Sequence, residues 1–139
     1  MAALDTNVLV RRLVEDNAAQ LAAARKLIRQ CRDAGEALFI PITVALELEW
    51  VLRSSFGFDK VAVVATLSKL LSTVELVFES ERSLELALML YRDGAADFSD
   101  CLHTALASTA DQSPLWTFDK AAAKVAGAKL LTRSRPQAG

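Results

Sequence analysis

Four acidic residues, Asp5, Glu47, Asp100 and Asp119, stand where a carboxylate could do chemistry. Asp5 ends the apolar stub Ala2-Ala3-Leu4, and Asp119 ends the run Pro114–Phe118. Both therefore fall at the carboxyl end of an expected strand, the edge at which open parallel sheets bind ligands. Glu47 has Thr43, Val44, Trp50 and Val51 three and four residues away, a largely apolar helix face on which an unpaired carboxylate is costly. Glu49 lies about 200° away on the helical wheel and is expected to be the solvated one. Asp100 falls in the first turn of its own helix. Leu4, Ile40 and Leu115 are expected to set the strands of Asp5 and Asp119 side by side.

Carboxylates gathered at one sheet edge raise one another's pKa. A hard divalent cation relieves that repulsion, and oxygen-only ligation suits Mg²⁺, with Mn²⁺ as a substitute. One or two such ions could activate water against a phosphodiester. Thr6, Asn7 and Thr117 supply neutral groups behind the acids or for a phosphate oxygen. The helix starting near Asn7 adds backbone N–H groups that favour an anion. Each acid also has a plainer role open to it. Asp5 can be a helix cap, Asp97 a cap completed by Asp100 at N3, Asp119 a turn residue, and Glu47 an ordinary solvated helix residue.

Other chemistries are poorly supplied. The single histidine, His103, cannot build a His-rich zinc site, and with Asp100 three residues before it a solvated or paired role is expected. Cys31 and Cys101 lack metal-ligand spacing and are expected to be buried thiols. The glycines are scattered as helix stops, with no phosphate-cradling loop and no nucleophile elbow.

The elements that must position these groups follow from periodicity. Short strands are expected at 2–4, 37–40, 74–78 and 114–118, with a small fifth at 128–131. Between them run helices over 8–14, from Asp16-Asn17 to Arg32, and from a Thr43 cap to about Phe56. Further helices run from an Asp59 cap to about Leu71, from a Ser80 cap to Asp93, and from Asp97 to about Ala110. Strands separated by one or two helices imply parallel crossovers. The expected fold is thus α/β: a three-layer α/β/α sandwich around a short parallel sheet of four to five strands. One domain is expected over 1–133, with a disordered tail over 134–139. Trp50, Trp116, Phe39, Phe78 and Tyr91 are expected in the core.

With 139 residues, 53% of them hydrophobic, the chain can bury a core of its own. No apolar run approaches the roughly 20 residues of a membrane helix. The start has no basic region and meets an acid, Asp5, at once, so a signal peptide is not expected. Together with the two unpaired cysteines, this points to a reducing cytoplasm. The net charge of −1, from 16 basic and 17 acidic residues, argues against strong nucleic-acid binding if taken as a sum. Its distribution argues otherwise. Residues 120–139 carry five basic groups and no acid, and Arg25, Arg29 and Arg32 share one helix face with Lys26 beside it.

Four stretches, ALDTNVLVRRL (3–13), IPITVALELEWVLRSSFG (40–57), DFSDCLHTALA (97–107) and LWTFDKAAAKVAGAKLL (115–131), carry a family likeness. The chain closely resembles the PIN-domain nucleases, specifically the VapC-type toxins of bacterial type II toxin–antitoxin modules. The resemblance implies a magnesium-dependent endoribonuclease acting on transfer RNA or another structured RNA. It carries the four catalytic acids onto Asp5, Glu47, Asp100 and Asp119. Metal is implied at Asp5 and Asp100, with Glu47 and Asp119 as further candidates, and Asp97 stays outside the core set. It also implies homodimers, larger toxin–antitoxin assemblies, and a cognate antitoxin whose C-terminal segment lies over the acidic groove. Arg11, Arg12, Lys120 and Lys124 are candidates to hold the RNA backbone. Two rivals are a non-catalytic interaction module of the same fold, which a missing acid would favour, and a receiver-like phosphoacceptor domain using Asp5. The second aspartate that such a domain carries two residues on is here Asn7.

Overall fold

The computed structural model describes residues 2–132. The chain divides into two compact units, Met1–Glu81 and Arg82–Gly139. The expected tail, 134–139, lies outside the described residues.

In the first unit the order is β1 (Ala2–Ala3), α1 (Thr6–Leu13), α2 (Ala18–Asp33), β2 (Leu38–Ile40), α3 (Ile42–Ser54), α4 (Lys60–Leu71) and β3 (Leu76–Phe78). The strands form a parallel sheet in the order β1-β2-β3, with Ala3 opposite Phe39 and Phe39 opposite Val77. Strands this short contribute few ladder bonds, so the helices carry the packing. Leu21, Ala24, Ile28 and Cys31 of α2 recur on one face and are buried. Leu38 and Ile40 of β2, Leu48 and Leu52 of α3 and Val63 of α4 are fully buried. Asn17 and Asp59 cap α2 and α4 as expected, accepting from Gln20 N at 3.0 Å and Ala62 N at 2.8 Å. Gly35 closes α2 with φ +69°, the left-handed region that glycine reaches without strain.

The second unit contains α5 (Glu81–Asp93), α6 (Phe98–Thr109), β4 (Leu115–Thr117), a 3₁₀ turn (Ala122–Lys124) and β5 (Ala128–Leu130). Strands β4 and β5 pair in parallel. Helix α5 buries Leu84, Ala87, Leu88 and Tyr91, and α6 buries Phe98, Cys101, Leu102 and Ala105. These are two stripes at i, i+3, i+4 and i+7 spacing. Tyr91 and Phe98 meet edge to face at 5.4 Å, and the Ser83 and Thr109 hydroxyls share a hydrogen bond at 2.6 Å. Cys31 and Cys101 are buried thiols.

The α/β class and the parallel strands match the expectation, and all five strands are present. They form sheets of three and two strands rather than one sheet, and β1 hydrogen-bonds to β2 rather than to β4. Apolar runs of four or five residues overstate the strands, because only two or three residues of each enter a ladder. Helix α3 starts at Ile42, with Pro41 at the cap position and no side-chain cap there. The Ile42 N–H instead donates to Glu79 Oε1 at 2.8 Å, and Thr43 is exposed within the helix.

Two further expectations are corrected on α3. Its buried stripe is Ala45, Leu48, Glu49 and Leu52, so Glu49 is buried, 2% exposed, and Glu47 is exposed. Glu49 is paired with Arg53 one turn on, bonded by two guanidinium nitrogens. Apolar residues lie on both sides of this helix, and the Val44–Trp50–Val51 side is the more open one. Trp50 is accordingly 58% exposed, and Trp116 is 55% exposed on the outer face of β4, with the Lys129 ammonium 5.7 Å from its ring centre. Phe78 and Tyr91 are buried, and Phe39 is half-buried.

The two glutamates of α3 should therefore differ in what they contribute to stability. Glu49→Ala removes a buried charge-assisted pair and should cost about 2 kcal/mol in urea unfolding. Glu47→Ala should stay within about 0.5 kcal/mol. Equal effects would refute this assignment of the α3 faces.

Candidate active site

In the first unit, β1 delivers Asp5 to the N-cap of α1. Leu4 is buried and its N–H bonds Phe39 O at 3.0 Å, which extends the β1–β2 pairing up to the acid. Asp5 Oδ1 accepts from Thr6 N at 2.7 Å. Its second oxygen has no hydrogen bond among the described residues. Thr6 is 1% exposed, and its hydroxyl is buried without a partner among the described residues. Asn7 is exposed in the first turn. Helix α1 packs against α3, which carries Glu47.

Sequence reasoning missed Glu79 in this unit. It follows β3 directly, its N–H bonds Ile40 O at 2.9 Å, and its side chain caps α3. The available signal was an acid immediately after an apolar strand, the same pattern that singles out Asp5 and Asp119.

In the second unit, α6 starts at Asp97, which holds the N-cap position but makes no side-chain cap bond. The expected capping arrangement of Asp97 is thus absent, and the carboxylate is not spent on the helix. Phe98, Cys101 and Leu102 anchor the first turn in the core, and Thr104 Oγ1 donates to the Asp100 carbonyl at 2.8 Å. Asp100 is consequently held half-buried. Asp119 follows β4 and has a structural task of its own: Oδ1 accepts from Ala121 N at 2.8 Å and Ala122 N at 3.2 Å, fixing the turn before residues 122–124. Thr117 Oγ1 accepts from Asp119 N at 3.0 Å, so this threonine positions the backbone of the acid.

Burial holds the Asp100 carboxyl above its ordinary pKa, and the negative charges of Asp119 and then Asp97 raise it further. The exposed His103 draws it back down. The structure thus brings Asp97, Asp100 and Asp119 into one electrostatic neighbourhood. Asp5 and Glu47 belong to the other compact unit.

Within the second unit, Asp97, Asp100 and Asp119 offer carboxylate oxygen, the donor type that a hard cation takes. Among the described residues, no three Asp, Glu, His or Cys side chains stand as a ready cage. Mg²⁺ does not need one, because it keeps several waters and takes one or two carboxylates from the protein. The repulsion felt by Asp100 is of the kind a bound cation removes.

In parallel α/β structure, the carboxyl ends of strands are where ligands bind, and Asp5 and Asp119 each follow such an end in their own unit. The PIN domain family matches residues 2–128, and the chain belongs to that family. The match runs through both compact units. PIN domains are generally nucleases that use Mg²⁺ or Mn²⁺. No curated protein matches the chain. No helix among the described residues is long and apolar enough to cross a membrane.

In metal-free protein, Asp119→Asn should lower the Asp100 titration midpoint seen by NMR, but only part way, because burial is the larger cause. The stability consequence has a definite sign. A carboxyl whose folded pKa lies above its unfolded value favours the folded state most at low pH, and that contribution is lost as pH rises through the folded pKa. Asp100→Asn should therefore raise the metal-free melting temperature at neutral pH. A lowered one would contradict the site electrostatics.

Proposed function

We propose that the chain is a divalent-metal-dependent endoribonuclease, the toxin of a VapC-type type II toxin–antitoxin module, acting in the cytoplasm. The observation that carries this reading is the PIN domain match over residues 2–128, within which half-buried Asp100 feels the charges of Asp119 and Asp97. Perturbed carboxyls cluster at functional sites, and a bound cation would relieve the charge that these three share.

In this reading Asp5 and Asp100 hold Mg²⁺, or Mn²⁺ in its place, and Glu47 and Asp119 complete the acidic set. The ion would supply Lewis acidity, activating water and neutralising charge that develops on the phosphodiester. The protein supplies placement. The Thr6 N–H orients Asp5 through Oδ1 and leaves its other oxygen available. Thr117 and the backbone of Ala121 and Ala122 do the same for Asp119. Exposed Asn7 and the first turn of α1 offer an anion amide and N–H groups, with the buried Thr6 hydroxyl behind them. Asp97, free of a cap bond, is a further acid for this region. The substrate is transfer RNA or another structured RNA, and its cleavage arrests translation. A cognate antitoxin inhibits the enzyme by setting an arginine against the carboxylates, a charge-assisted contact that replaces the metal's. The toxin acts as a homodimer that enters larger assemblies with the antitoxin.

Asp5→Asn keeps an N-cap acceptor, because asparagine caps about as well as aspartate. The variant should fold with a melting temperature near that of the wild type, yet lose RNA cleavage on the order of 100-fold or more in Mg²⁺. Chelation of the metal should abolish wild-type cutting. Full metal-dependent cleavage by Asp5→Asn would sink the assignment.

A further inference from the structure

The chain's near-zero net charge conceals a concentrated cationic feature. In the first unit a groove of about 360 Å³ is lined by Arg12 of α1 and by Arg25, Ile28, Arg29 and Arg32 of α2. Arg25 and Arg29 are one helical turn apart and Arg32 follows, so three guanidinium groups leave one face of α2 over about 10 Å of axis. Helix α1 packs on α2 and brings Arg12 to the same groove.

Arg12, a member of the same lining, has unmet hydrogen-bonding capacity. One of its terminal nitrogens is buried with no hydrogen-bond partner among the described residues. A buried unpaired guanidinium N–H is costly, and an anionic oxygen would recover that cost. Arg29 has no ion pair among the described residues. Arg25 meets Glu15 at 3.1 Å and Arg32 meets Glu75 at 4.0 Å. Both arginines are largely exposed, and such pairs are screened and readily exchanged. Arg11, by contrast, is already engaged by both oxygens of Asp16, at 2.7 and 2.9 Å, and by Gln20.

The lining also indicates the class of ligand. Its one apolar member, Ile28, is itself buried, so a peptide would find no apolar anchor. Guanidinium forks match phosphate oxygens and need none.

We propose that this four-arginine groove binds the phosphate backbone of RNA and holds the substrate by charge rather than by sequence. The choice of RNA as the polyanion rests on the ribonuclease reading.

The test uses the full chain and a fluorescent single-stranded RNA oligonucleotide, with binding followed by anisotropy across a salt series in chelator. Arg25→Gln/Arg29→Gln, two changes at exposed sites, should weaken binding about tenfold or more at low salt. It should also reduce the salt slope by about 0.7 for each phosphate that is no longer neutralised. Arg82→Gln, an exposed arginine outside the groove, should bind as the wild type does. Unchanged affinity and slope in the double variant would overturn the proposal. So would an equal loss in Arg82→Gln, no RNA binding by the wild type, or tighter binding of a polyglutamate peptide than of RNA. Cleavage in Mg²⁺ is read separately. A wild type that binds RNA through the groove but does not cut it refutes the nuclease reading alone. A wild type that cuts, beside a double variant with unchanged KM, refutes the groove alone.

Discussion

The strands of this protein are two or three residues long, and that brevity governs the rest of its structure. So short a ladder cannot hold a fold through its own hydrogen bonds. The stability must come from amphipathic helices, whose buried stripes recur at three- and four-residue spacing in both units. Brevity also fixes where acids stand. A strand that ends after two or three residues brings the next residue to the sheet edge at once, and in three of the five strands an acid lies within two residues of that end. Asp5, Glu79 and Asp119 occupy those positions.

Each of these acids must do something at the place where a strand becomes a helix or turn, because backbone N–H groups at that junction lack partners. Asp5 accepts from Thr6, Glu79 from Ile42, and Asp119 from Ala121 and Ala122. In every case these bonds use a single carboxylate oxygen. A capping role and a chemical role are therefore compatible: the cap fixes the orientation of the group and one oxygen remains for another partner. Asp97 is the informative exception. It occupies a cap position and makes no cap bond, while its charge falls on Asp100.

Much of this was legible in the sequence, and the reason is local. The existence and order of the strands and helices follow from apolar periodicity, and the starts of α2 and α4 from the caps Asn17 and Asp59, whose effects reach only a few residues. The pattern of acids after apolar runs is enough to mark Asp5 and Asp119. What failed required knowledge of which apolar face turns inward. On α3 both faces are apolar, so the wheel could not tell Glu47 from Glu49; Arg53, one turn beyond Glu49, was the overlooked clue to the buried acid. Trp50 and Trp116 were misjudged for the same reason, since size and hydrophobicity do not specify a side. Sheet membership was not legible because partner choice among such short strands is a long-range matter. The Glu79–Ile42 cap spans 37 residues and lies beyond any window reading.

Charge segregation then answers a difficulty that composition alone leaves standing. A protein with net charge −1 and a cluster of mutually repelling carboxylates should repel a polyanion. That conclusion follows only if charge acts as a sum. At physiological ionic strength the screening length is about 8 Å, shorter than the roughly 10 Å of axis that Arg25, Arg29 and Arg32 occupy. A phosphate in their groove would respond chiefly to the guanidinium groups and to Glu15 and Glu75 beside them, not to the sum over the chain. The carboxylates, on the nuclease reading, are the groups that a divalent cation would neutralise. Binding charge and catalytic charge can thus be of opposite sign within one small chain, provided each is concentrated and neither is averaged over the surface.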